Sequence, residues 1–108
     1  MANILMSTSA ERDLEQIGDY IAKQLKSPKT ALNTVKKIRT SIDKLADFPL
    51  IGTPLASIIA IESNYRFIGC GNYLAFYRVQ GNDVFIDRII HGRRDYVTIL
   101  FGELPKGD

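Results

Sequence analysis

A chain of 108 residues, 45% of them hydrophobic, has material for one buried core, because a domain of this size hides roughly two-thirds of the surface its unfolded chain exposes. No apolar run nears the roughly 20 residues of a membrane-crossing helix, and Met1 to Met6 is too short and too uncharged for a secretory signal, so the expected location is the cytoplasm, with no membrane partner. A net charge of +2 is too small to argue nucleic-acid binding from the total, and a single cysteine, Cys70, and a single histidine, His91, exclude an internal disulfide and a Cys/His metal cluster, so neither metal nor cofactor is expected.

Asn3 to Ser7 is a short apolar run closed by the turn-forming Ser7-Thr8-Ser9, and it reads as a first strand. Thr8 and Glu11 are spaced for a capping box, after which Ala10, Leu14, Ile17, Ile21 and Leu25 recur on one helical stripe. Ser27-Pro28 ends that helix and starts another, since proline suits the first helical position. Ala31, Val35, Ile38, Ile42 and Leu45 form the second stripe, and Phe48-Pro49 stops it. So short a linker forces an antiparallel hairpin, stripe against stripe. Lys29, Lys36, Lys37, Arg39 and Lys44 decorate the second helix against one acid, Asp43, and a solvated face is the simplest reading of them, with a nucleic-acid contact as the alternative.

Leu50 to Ser63 is irregular, with room for a short helical turn over the sheet. From Tyr65 onward three β-rich runs, Tyr65–Ile68, Tyr73–Val79 and Val84–Ile90, are separated by Gly/Asn turns and predict an antiparallel meander. Their alternation is imperfect, as expected where both faces of a sheet are partly covered. Val97 to Phe101 is apolar again and either docks on the core or waits for a partner. The expectation is one α+β domain spanning residues 1–108: an N-terminal strand, a two-helix antiparallel hairpin, then a three-stranded antiparallel meander, with the helices on one face of the sheet.

Five of the seven arginines, Arg66, Arg78, Arg88, Arg93 and Arg94, fall between residues 66 and 94, whereas all seven lysines lie outside that stretch. Arginine grips phosphate with a rigid fork, so the segregation favours a phosphate-facing surface in the second half; the bland alternative is that long arginines cover the sheet edges.

The helix Ala10–Ala22, the segment Leu45-Ala46-Asp47-Phe48-Pro49 leading to Gly52, Tyr65-Arg66-Phe67, the strand Asn72–Val79 and the ending Arg88-Ile89-Ile90-His91-Gly92-Arg93-Arg94-Asp95 together resemble the RelE/ParE superfamily of bacterial toxins, over nearly the whole chain. The resemblance implies a toxin of a type II toxin-antitoxin module, covered by a cognate antitoxin in a hetero-oligomer. RelE-like members cleave messenger RNA on the ribosome without a metal, and ParE-like members poison DNA gyrase. Fold does not choose between them.

RNA cleavage through the 2′-hydroxyl needs a base, an acid and fixed positive charge on the phosphate. His91 is the candidate acid or base, Arg66 and Arg94 the phosphate clamp, and Tyr96 a group that stacks a base or donates a hydrogen bond, or else a core ring; Arg78 and Arg93 are further substrate-binding candidates. Gly92-Arg93-Arg94 matches the glycine-basic-arginine turn of RelE-like nucleases and points to Arg94. Of the two lysine positions on their second strand, one falls on Arg66 and the other on Ile68, and the arginine of the next strand falls near Leu74. The ParE-like branch shares the Arg66 setting, the Tyr77-Arg78 strand and a His-Gly ending. The gathering of His91, Arg93, Arg94 and Tyr96 tips the expectation toward a ribosome-dependent endoribonuclease acting on mRNA, with the gyrase poison and a non-catalytic binding module as alternatives.

Overall fold

The computed structural model describes residues 1–102. Its elements run β1 (Asn3–Met6), α1 (Thr8–Asp19), α2 (Pro28–Asp43), β2 (Thr53–Pro54), β3 (Arg66–Cys70), β4 (Tyr73–Gln80), β5 (Asp83–His91) and α3 (Tyr96–Phe101).

The expected Thr8 capping box gives way to a cap one residue earlier. Ser7 holds the extended conformation that a capping residue needs, and its hydroxyl accepts the Ala10 N–H at 2.9 Å while donating to the Asp87 carbonyl at 2.7 Å. That pair of bonds fixes the start of α1 against β5. Ala10, Leu14, Ile17 and Ile21 are buried as the stripe predicts, but Leu25 is 57% exposed. The reason is a change of pitch: Tyr20–Gln24 winds as a π turn, which slips the helical period and swings Leu25 outward. Lys26 then reverses the chain at φ 51°. Pro28 opens α2, where the Ser27 hydroxyl bonds the Thr30 hydroxyl at 2.7 Å rather than a backbone N–H. Ala31, Ile38, Ile42 and Leu45 face inward.

The meander forms as predicted, through two tight turns in which Gly71 and Gly81 take positive φ. Two further strands extend it, giving a five-stranded mixed sheet in the order β1-β5-β4-β3-β2. β1 lies parallel to β5, from Asn3 opposite Asp83 to Met6 opposite Ile86. β2, only Thr53–Pro54, pairs with Arg66 and Phe67 of β3. The irregular stretch thus supplies an edge strand as well as the short 3-10 turn Leu55–Ser57.

The helical hairpin covers one face, packing on Cys70, Ala75, Tyr77, Val84, Ile86 and Ile89. The other face carries a second core of Leu55, Phe76 and Ile90, closed by Phe67, Leu74 and the α3 residues Tyr96, Ile99, Leu100 and Phe101. Val97 to Phe101 therefore docks. Full burial of side chains of this size stabilises a fold by about 1.5–3 kcal/mol each, which explains why both faces of β4 and β5 are apolar. A register shift between Phe76 and Tyr77 sets Phe76 opposite Arg88 but Tyr77 opposite Ile86, leaving Asp87 as the extra residue of a bulge.

Candidate functional site

Side chains that share a register row share a face, so the pairings decide which candidates meet. His91 pairs with Tyr73, which pairs with Cys70, on the helix-covered face; the His91 and Tyr73 rings meet edge to face at 5.3 Å. His91 Nδ1 accepts the Arg93 N–H at 3.1 Å, which puts the proton of the neutral ring on Nε2. A tight turn follows, with the Arg94 N–H donating to the His91 carbonyl at 3.0 Å and the Gly92 N–H to that of Asn72 at 2.9 Å.

Here the hairpin tip and the end of the sheet enclose a cleft of about 710 Å³. Ile17, Ile21 and Ile89 line its interior, Tyr20 and Tyr73 add aromatic walls, and Lys37, His91 and Arg94 contribute cationic or titratable groups. Burial pushes the Tyr73 hydroxyl above its ordinary range. Tyr20 was not singled out by the sequence reading, and Lys37 only as one of the lysines on the second helix, because helix-to-sheet proximity has no signature in spacing along the chain.

The remaining candidates stand elsewhere. Arg66 shares a row with Tyr77, four β4 residues from the row of His91, or about 13 Å along the sheet. Its guanidinium donates to the carbonyls of Gly52 at 2.8 Å and Leu50 at 3.3 Å. Arg78 forms a two-pronged bond with Asp87, at 2.7 and 3.3 Å, and lies over the Phe85 ring at 5.4 Å. That bond holds the Arg78 guanidinium more firmly protonated than usual. Tyr96 belongs to the second core, its ring 5.2 Å from that of Phe76. Arg93 is exposed beside His91. The fold therefore gathers His91, Arg94 and, through its backbone, Arg93, and it does not bring Arg66, Arg78 or Tyr96 to them.

Apolar walls with a cationic rim suit an acidic amphipathic group. No cluster of three His, Cys, Asp or Glu side chains that could hold a metal ion occurs among the described residues. Nor is any helix among them long and apolar enough to cross a membrane.

A helical hairpin laid on a mixed sheet of this order is the architecture of RelE/ParE-type toxins. The family model described as the ParE toxin of the type II toxin-antitoxin system parDE matches residues 4–96, and the chain belongs to that family. It is a toxin of a type II module, which implies a cognate antitoxin. Among solved structures, the chain is similar to one described as the chromosomal ParDE TA system from P. aeruginosa, with 25% identity, a TM-score of 0.71, and coverage of 84% of this chain and 96% of that one. YafQ from E. coli strain BL21(DE3) also matches, at 17% identity and a TM-score of 0.47, with 94% of this chain and 100% of that one covered. No curated protein sequence matches.

Proposed function

We propose that this toxin halts growth by binding and poisoning DNA gyrase, as ParE-like members do, rather than by cutting messenger RNA. The observation that carries the reading is the dispersal of the nuclease candidates: Arg78 is engaged by Asp87, Arg66 by two loop carbonyls, and Tyr96 by the second core. Of the expected acid, base and clamp only His91 and its neighbouring arginines stay together, and a clamp about 13 Å distant along the sheet cannot hold the same phosphate. Membership of the ParE family and the likeness to a ParDE structure support the same branch.

Poisoning by binding needs rigid, accessible contact groups instead of aligned reacting atoms. Phe48, Leu50 and Ile51 meet that need: each is more than half exposed, on a loop pinned by Arg66 and by the bond from the Gly52 N–H to the Tyr77 hydroxyl. The cationic cleft offers the antitoxin an acidic-group site on the same molecule.

The test is expression of the chain with and without its neighbouring antitoxin gene, with parallel readout of RNA ends and of gyrase-DNA cleavage complexes. Trapped cleavage complexes with intact RNA support the proposal, and His91→Ala then keeps its toxicity. Ribosome-dependent RNA breaks that vanish in His91→Ala or Arg94→Ala would return the nuclease, and lack of toxicity would favour a plain binding module.

A further inference from the structure

The charge of this chain is segregated. Between Lys23 and Lys44 seven cations accompany one acid, Asp43, whereas the rest of the sequence holds seven cations and eleven acids. The small net charge conceals a strongly basic segment.

On α2 that charge is organised. At 100° per residue, Lys29, Asn33, Lys36, Lys37, Thr40 and Lys44 fall on one side of the helix, opposite the buried Ala31, Ile38 and Ile42, and all six are exposed. The row is about 22 Å long, with Lys29, the Lys36-Lys37 pair and Lys44 at steps of about 10 Å and Asp43 at its edge beside Lys36. None of its four lysines makes an ion pair among the described residues. Three arginines of the sheet behave in the opposite way, since Arg78 and Arg88 are tied to carboxylates inside the fold and Arg66 to backbone carbonyls. Exposed cations also stand at Arg12, Arg93 and Arg94, and Lys37 brings the lysine face to the cleft beside Arg94.

We infer that this face of α2 holds the phosphodiester backbone of a nucleic acid. An elongated row of exposed, unpaired lysines with small polar residues between them suits a phosphate chain, which binds through counterion release without needing shape. An acidic protein fits less well, because protein interfaces are depleted in lysine and centre on buried aromatic or aliphatic anchors, whereas Asn33 and Thr40 fill the gaps here. The inference is independent of the gyrase reading, since binding is measured without that enzyme.

The test titrates the full chain against fluorescent 20-base-pair duplex DNA, the same sequence as duplex RNA, and polyglutamate, at 50 to 200 mM salt. Engagement of four phosphates predicts a fall in duplex affinity of about 100-fold across that range. The variant Lys29→Gln/Lys36→Gln/Lys37→Gln/Lys44→Gln should lose at least about tenfold at 50 mM and flatten the salt slope. Arg12→Gln, which removes an exposed charge on α1 away from this face, should bind as the parent does. Circular dichroism verifies that each variant is folded. Equal binding of DNA and RNA supports a contact to the backbone alone, and preference for DNA supports a duplex-DNA site. No duplex binding at 50 mM, an unaffected lysine variant, or tighter binding of polyglutamate at equal charge would overturn the inference.

Discussion

Asp13 on α1 holds Arg88 on β5 with both carboxylate oxygens, at 2.8 and 2.9 Å, and one of them also accepts the Ile89 N–H at 2.8 Å. Beyond Met6 the β5 edge has lost its neighbouring strand, and a side chain from α1 supplies the missing acceptor. Asp13 is nearly inaccessible, and its bond keeps the Arg88 guanidinium firmly protonated. Replacing Asp13 by Ala strands a buried N–H and a half-covered cation, and should cost about 2–4 kcal/mol in urea unfolding. Asn in its place keeps one acceptor, and a loss of about half that size is expected.

The loop that carries Phe48, Leu50 and Ile51 depends on Gly52. A Cβ there would lie 2.5 Å from the Tyr77 hydroxyl oxygen and 2.8 Å from the Phe67 carbonyl. Gly52→Ala should therefore destabilise by about 3 kcal/mol or more, at the upper end for overpacking. Tyr77→Phe removes only the acceptor of the Gly52 N–H and should cost about 1–3 kcal/mol. Denaturant midpoints measure both, and the larger loss belongs to the glycine.

Between the helices, Lys26 occupies left-handed backbone at φ 51°, a conformation costly for any residue with a Cβ. Lys26→Gly should raise stability by about 1 kcal/mol. A lowered unfolding midpoint would refute that account of the turn.

The cap of α3 is titratable. Asp95 accepts the Thr98 hydroxyl at 2.7 Å and the Thr98 N–H at 3.2 Å, and these bonds hold its carboxyl below the ordinary aspartate range. A depressed pKa means that the folded form binds its proton less readily than the unfolded chain. Its stabilising effect is therefore complete above the unfolded value and is lost as pH falls through the folded one. The Thr98 amide resonance should follow this acid transition, and Asp95→Ala should abolish it.

Much of the scaffold was legible because helix and strand periods are written into neighbouring residues: the stripes of α1 and α2 and the Gly/Asn turns of the meander stand where the pattern put them. What escaped depends on neighbours distant in sequence. β2 is too short to have a period, β1 finds β5 across most of the chain, and the π turn that ejects Leu25 leaves the spacing of apolar residues unchanged. Site residues were harder still. The bulge at Asp87 and the pairing of Arg66 with Tyr77 determine which cations meet, and a one-residue change of register would have reversed their faces. Arg66, Arg78 and Arg88, which read as part of a phosphate grip, fasten the fold from within, and the docking of Tyr96 on Phe76 is a tertiary contact that spacing along the chain does not show.

The parallel pairing of Asn3 with Asp83 also governs the order of events during synthesis. β1 must wait for a strand made 80 residues later, and the helical hairpin cannot be sealed beneath the sheet until then. A chain stopped before Asp83 leaves β1 unpaired and the hairpin without its sheet, so a folded molecule, and any companion that fits it, must wait for β5 to emerge.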